Sequence, residues 1–327
     1  MELMKVAEVV ASEEAALGWL MEVGLVERVE RCWACGGSRV VLVRRMSWKC
    51  RDCGRERSVR RGSLLARFKL SPRQFVLRLK LFEMEVSALR AAREIGVAYR
   101  TAWKLFTVLR QAQAKAERGQ ELLSGEVEAD ESYFGGRKRG KRGRGAAGKT
   151  PVFGILERGG KVHVEVVPSV RASELRSLLV AKVKRGSLVY TDQFKGYDGL
   201  VAYGFRHERI DKTTRFANGR VYLNGIEGVW SFAKERLAKF HGMSVSHFPL
   251  YLKGLQFRYN HRPNCFASML QAVKAFVEDH DSPAGTLPAR STPAGTLLVL
   301  RENLLHAGNF MPNFRKTFPT ISKRRLP

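Results

Sequence analysis

The spacing of apolar residues changes three times along the chain, and the changes divide it. Residues 1–28 carry apolar positions at helical spacing and predict one leading amphipathic helix. Between 29 and 60 the pattern shortens to strand-like runs, VVLVRR (40–45) and SWKC (47–50). From Leu70 to about Ala116 helical spacing returns, first through Phe75, Leu79 and Phe82. It continues through Ala88, Ala91, Ala92 and Ile95, then Trp103, Leu105, Phe106 and Leu109, with a turn at Gly96 between these two groups. Helix, glycine turn and second helix predict a helix-turn-helix whose second helix carries Tyr99, Arg100 and Lys104 toward a major groove.

After Gly125 the period becomes that of strands: VEAD, PVFGILE (151–157), KVHVEVVP (161–168) and SLVYTD (187–192), with a hairpin at 157–160. Between the last two strands, ASELRSLLVAKVKRG (172–186) predicts a helix capped by Ser173 and stopped at Gly186. A further helix is predicted over NGIEGVWSFAKERLAKF (224–240). Strands in a meander followed by alternating strand and helix indicate an α/β fold with a mixed sheet. The expected division is 1–65 (leading helix and cysteine module), 66–120 (helix-turn-helix), 121–280 (mixed α/β domain) and 281–327. In the last segment SPAGTL returns as TPAGTL, and the composition predicts an irregular tail.

Charge alters this picture. The 327 residues contain 58 Lys and Arg against 31 Asp and Glu, a net charge of +27. A field of that size attracts polyanions, and DNA is the expected partner. No apolar run reaches the ~18 residues of a membrane span, and the first residues lack a secretory pattern, so a cytoplasmic, nucleoid-associated protein is expected.

Cys32 and Cys35, then Cys50 and Cys53, form two CxxC knuckles separated by fourteen residues, the spacing of a four-thiolate zinc ribbon. Cys265 stands alone, as a plain buried thiol would. Arginines crowd the knuckles, among them Arg39, Arg44, Arg45, Arg51 and Arg55, with Trp33 and Trp48 interleaved; DNA backbone contact is the expected use.

In GEVEADESYFGG (125–136), Glu126, Glu128, Asp130 and Glu131 lie among apolar residues, directly before the basic run RKRGKRGR (137–144). Phosphodiester chemistry by two metal ions needs carboxylates that converge from separate elements. Asp130 closes VEAD, Asp192 closes SLVYTD, and Glu227, with thirty-four residues between it and Asp192, lies on a helix that also carries Lys234 seven residues on. Strand alternation puts Glu128 on Asp130's face and turns Glu131 away.

These acids and the blocks around them resemble one family. ADESYFGGRKRGKRGRGAAGKTPVFGILERGGKV, VYTDQFKGYDGL, NGIEGVWSFAK and FRYNHR are similar to the ISXO-like group of bacterial insertion-sequence DDE transposases, over about residues 15–265. The resemblance implies an RNase H-like catalytic fold behind a zinc ribbon and helix-turn-helix. It implies that Asp130, Asp192 and Glu227 hold two Mg²⁺ or Mn²⁺ ions and that Lys234 contacts a phosphate. The resemblance also offers Asn224, one helical turn before Glu227, as a candidate metal or phosphate contact, since some relatives use Asn for the third acid. Arg137, Lys138, Arg139, Lys141, Arg142 and Arg144 would form a Gly-spaced arm along DNA phosphates. The implied activity is binding of terminal inverted repeats, metal-dependent cleavage and strand transfer by a homodimer or larger synaptic assembly. The alternative is a domesticated or decayed relative that only binds DNA.

Overall fold

The computed structural model describes residues 1–43, 46–68, 70–135, 149–211, 221–240 and 243–281. Arg44, Arg45, the basic arm at 137–144 and the tail from 282 onward lie outside the described residues. Met1–Asp281 form one compact unit.

The leading segment is two helices rather than one, α1 (Leu3–Val9) and α2 (Glu13–Glu22). Ser12 interrupts the run: its backbone is extended, its Oγ accepts the Ala15 N–H at 3.0 Å, and Glu13 and Glu14 complement the new helix's positive end. An antiparallel sheet of β1 (Val40–Val43), β2 (Ser47–Cys50) and β3 (Glu56–Ser58) follows. The sequence ERS of β3 has no apolar alternation, so only its pairing with β2 reveals it.

Next come α3 (Leu64–Arg67), α4 (Pro72–Glu83), α5 (Ala88–Ile95) and α6 (Tyr99–Ala116). Ser71 and Gln74 cap α4 reciprocally, and Pro72 occupies its first turn, where no N–H is needed. Ser87 caps α5, and Gly96 ends it with φ of 69°, a left-handed conformation that a side chain would strain.

A five-stranded mixed sheet forms the second half: β4 (Glu126–Phe134), β5 (Thr150–Glu157), β6 (Val162–Val166), β7 (Leu188–Asp192) and β8 (Arg206–Ile210), in the order β6-β5-β4-β7-β8. β5 runs antiparallel to β4 and β6, whereas β4, β7 and β8 are parallel. The chain thus builds outward from one side of β4, crosses by α7 (Ala172–Lys182), and resumes on the other side. With α7 on one face and α8 (Asn224–Ala238) and α9 (Phe248–Asn260) on the other, this is the expected RNase H-like layering. β8, RHERI, escapes sequence reading because an edge strand needs no apolar alternation. Ser173 does not cap α7: Arg171 precedes the helix, the Glu174 carboxylate accepts the Ser169 N–H at 3.0 Å, and the helix stops at Lys182 because Val183 bridges to Leu123.

The open edge of β6 is covered by one stripe of α9. Asn260 Oδ1 accepts the Val162 N–H at 2.8 Å, Gln256 Oε1 accepts the Val164 N–H at 3.1 Å, and Lys253 Nζ donates to the Val164 carbonyl at 2.6 Å. Side chains here complete a ladder that another strand would otherwise extend. The last helix, α10 (Cys265–Asp281), follows the sheet in sequence, yet it buries Phe266, Met269, Leu270, Val273, Phe276 and Val277 in the core built by α2, α4 and α6. The first and last segments of the compact unit therefore share one core.

Candidate active site and metal centre

The two CxxC knuckles converge. Cys32 Sγ lies 3.7 Å from Cys53 Sγ, and Cys35 Sγ 3.6 Å from Cys50 Sγ. All four sulfurs fall within 4.8 Å of one another. These separations far exceed a disulfide bond, and they match the ~3.8 Å edge of a tetrahedron with ~2.3 Å metal–sulfur bonds. The backbone amides of Cys35 and Ala34 point at Cys32 Sγ and hold that thiol down at about 6, in reach of its thiolate form. The donor set fits a structural zinc ion. Cys265, by contrast, is half-buried, and burial raises its thiol.

The acids are assembled by sheet register. β4 and β7 pair in parallel with Glu126 beside Leu188 and Glu128 beside Tyr190, and that last pair stands two residues before Asp130 on β4 and two before Asp192 on β7. Pleating sends Glu126, Glu128 and Asp130 toward α8, while Val127, Ala129 and Glu131 face the α7 side. β4 and β7 flank the point where the chain switches direction across the sheet, the crevice in which open α/β sheets place ligands.

α8 crosses this face closely. Gly154 sits opposite Asp130, and a Cβ there would come within 2.6 Å of the Trp230 ring. A Cβ on Gly225 would lie 2.7 Å from Leu156 Cδ2 and 2.9 Å from Glu128 Oε2. That approach lets Trp230 Nε1 donate to Asp130 Oδ2 at 3.2 Å, one helical turn from Glu227. Asn224, Glu227 and Lys234 are exposed along α8. Asp192 is partly buried, and its Oδ1 accepts the Phe194 N–H at 2.9 Å. Among the described residues, the cysteines form the single close cluster of three or more possible metal-ligand atoms. Oxygen donors on two adjacent strands and an overlying helix suit hard divalent cations.

The neighbours of Asp130 are engaged elsewhere. Glu128 is fully buried; its Oε1 accepts from Arg158 Nε at 2.9 Å and its Oε2 accepts the Ile226 N–H, in the first turn of α8, at 2.9 Å. Arg158 also donates to Glu126 at 2.7 Å and to the Tyr222 carbonyl at 2.8 Å, and lies between the Tyr190 and Tyr222 rings, 3.8 Å from each. On the opposite face, Tyr197 Oη donates to Glu131 Oε2 at 2.6 Å. Burial first, and then the Glu131 carboxylate, push the Tyr197 phenol well above its ordinary range, and the charges of Asp130 and Asp192 add to the shift. Sequence reading misses Arg158, Tyr197 and Gly154 as site builders. The usable signal was the glycine inside the strand run PVFGILE, a mark of close backbone approach.

On α6, Tyr99, Arg100 and Lys104 are all exposed near the helix start. Glu85 occupies the bend between α4 and α5 with φ of 58°. It accepts from Arg236 of α8, while Lys239 approaches it at 3.4 Å and Arg258 of α9 at 3.6 Å. FRYNHR (257–262) serves packing: Arg258 donates to the Phe82 and Glu83 carbonyls at 2.7 Å each, and Asn260 braces β6. No helix among the described residues is long and apolar enough to cross a membrane.

Residues 122–260 match the ISXO2-like transposase domain. An uncharacterized transposase-like protein of Haemophilus influenzae is 45% identical over 100 residues, covering 31% of this chain and 81% of that protein. An uncharacterized protein in transposable element ISH50 of Halobacterium salinarum is 29% identical over 236 residues, covering 64% of this chain and 76% of that protein. Among solved structures, the catalytic core of BIV integrase covers 56% of this chain and 97% of its own at 12% identity, with a TM-score of 0.28. A pre-cleavage Mos1 transpososome covers 66% and 80% at 10% identity, with a TM-score of 0.30.

Proposed function

Because the chain belongs to the ISXO2-like transposase family, we propose that it binds the inverted-repeat ends of an insertion sequence, cuts beside them and joins the 3′ ends to target DNA. The observation that carries this reading is the parallel β4–β7 register, whose last pair, Glu128 and Tyr190, stands two residues before Asp130 and Asp192, with the helix that bears Glu227 reaching Asp130 through Trp230. Two Mg²⁺ or Mn²⁺ ions held by these three carboxylates supply Lewis-acid chemistry for phosphodiester cleavage and transesterification. Asn224, at the exposed start of α8, is placed to contact an ion or a phosphate.

The remaining residues bind and orient DNA. Lys234 is exposed two turns beyond Glu227, where its ammonium can hold a phosphate near the cleaved strand. Arg100 and Lys104, one turn apart, are placed to meet the major groove. Cys32, Cys35, Cys50 and Cys53 hold zinc and so stiffen a ribbon rich in arginine. The arm with Arg137, Lys138, Arg139, Lys141, Arg142 and Arg144 lies outside the described residues; its charge suits phosphate contact. Joining two ends requires a dimer or larger synaptic assembly.

The test incubates the purified protein with Mg²⁺ or Mn²⁺ and labelled DNA carrying the element ends, beside Asp192→Ala. Nicking at the ends that disappears in the variant is expected. Binding without cleavage, equal in both proteins, would replace this reading with that of a decayed relative that only binds DNA.

A further inference from the structure

β4 carries four acids, and three of them have different partners on the two faces of the sheet. Asp130 faces the crevice. Glu128 reaches the first turn of α8, where the Ile226 N–H and Arg158 Nε, each 2.9 Å away, take its two oxygens. Its burial is complete, so its charge has no solvent to exchange with, and the helix it holds begins at Asn224 and presents Glu227. Glu131, on the other face, accepts from the buried Tyr197 at 2.6 Å. Tyr197 stands in the loop that leaves β7 directly after Asp192, wedged against Phe153 and Phe194.

We infer that Glu128 and Glu131 are positioning residues rather than metal ligands: Glu128 sets the helix of Glu227, and Glu131, through Tyr197, sets the loop of Asp192, both relative to Asp130. One strand thus carries the first ligand and the two latches that locate the other ligands. The inference rests on the metal-site reading above. Groups of this kind act through hydrogen bonds to the elements that bear the ligands, and their loss lowers metal affinity by about 10–100-fold while the number of sites is kept.

The experiment measures Mn²⁺ binding to the full chain by the spin-resonance signal of free Mn²⁺, together with metal-free thermal melting. Glu131→Gln keeps an oxygen for Tyr197 and should bind as the unaltered protein does. Tyr197→Phe removes the latch, and Glu128→Gln turns an amide N–H₂ toward Arg158 or Ile226. Both should bind the same number of ions with dissociation constants raised about 10–100-fold, and raised Mn²⁺ should restore their cleavage. Because the two latches lie on opposite faces, either variant suffices if the other does not fold. Unchanged Mn²⁺ affinity in a folded Tyr197→Phe or Glu128→Gln protein, whatever its melting temperature, would reduce that latch to ordinary packing. Loss of an ion in Glu131→Gln, as expected for Asp130→Asn, would make Glu131 a ligand and overturn the inference. Full Mn²⁺ binding by Asp130→Asn would instead remove the metal-site reading, and the inference with it.

Discussion

The cysteine module and the acidic site gather ligands in opposite ways. Four sulfurs come from two knuckles in one short stretch and close to 3.6–3.7 Å through local turns and a small sheet. The three carboxylates of the proposed site come from two strands and a helix spread over Asp130 to Glu227, and are related only through a parallel register and a helix crossing. The first centre depends on local turns, with the ion itself supplying stability. The second draws like charges from neighbouring strands and a helix and depends on the whole sheet to hold them. On the proposed reading, metal at the cysteines would stabilise the fold, whereas the carboxylates would be kept at the expense of stability.

Removing the ions separates the two most strongly. Cys50→Ser, or a strong zinc chelator, should lower the melting temperature by roughly 10 °C, because the ribbon packs Trp48 and Val59 into the first core. Asp192→Ala should leave it within about 2 °C or raise it, since it relieves repulsion next to Asp130. Differential scanning calorimetry on both proteins, with zinc content measured alongside, checks the pair. A Cys50→Ser protein that melts normally would erase the contrast.

The next effect reaches the acidic site alone. Gly154→Ala places a methyl 2.6 Å from the Trp230 ring, so α8 must shift away from β5. The expected cost is about 1–3 kcal/mol of stability by denaturant titration, with loss of end cleavage and no change in bound zinc. Wild-type cleavage by Gly154→Ala would show that the helix crossing tolerates displacement.

The smallest effect is a pH dependence beside Asp192. Thr191 Oγ1 donates to the Asp192 carbonyl at 2.8 Å and lies 2.8 Å from His207 Nε2, which must then donate to it. Burial, and then the Arg209 charge, lower His207 from 6.5 to about 4. Its neutral form is the one folded, so between pH 6.5 and 4 the unfolded chain takes up the proton first and stability falls. Screening at this half-buried site limits the loss to about 1 kcal/mol. His207→Gln should flatten the melting-temperature profile across that window and leave it unchanged above pH 7.

Much of this was legible beforehand. The strand runs PVFGILE and KVHVEVVP and the hairpin between them alternate apolar residues as a half-buried sheet requires, and they appear as β5 and β6. Glu128 and Glu131 were separated onto opposite faces by strand period alone, and the structure puts them there. The single leading helix failed at Ser12, where one capping hydroxyl outweighed continuous apolar spacing. β8 and α10 were illegible for another reason. An edge strand of charged residues carries no pattern, and an amphipathic helix does not state which core it joins.

By itself, then, the sequence determined what depends on near neighbours: the cysteine knuckles, the period of the half-buried strands, and which acids of β4 share a face. Those follow from backbone geometry over a few residues. The tertiary structure decided the register of β4 against β7, the closeness of α8 over Gly154, and the partners of Glu128, Arg158 and Tyr197. Each of these joins segments tens of residues apart, where only packing of the finished sheet selects one arrangement from the many that local preferences allow.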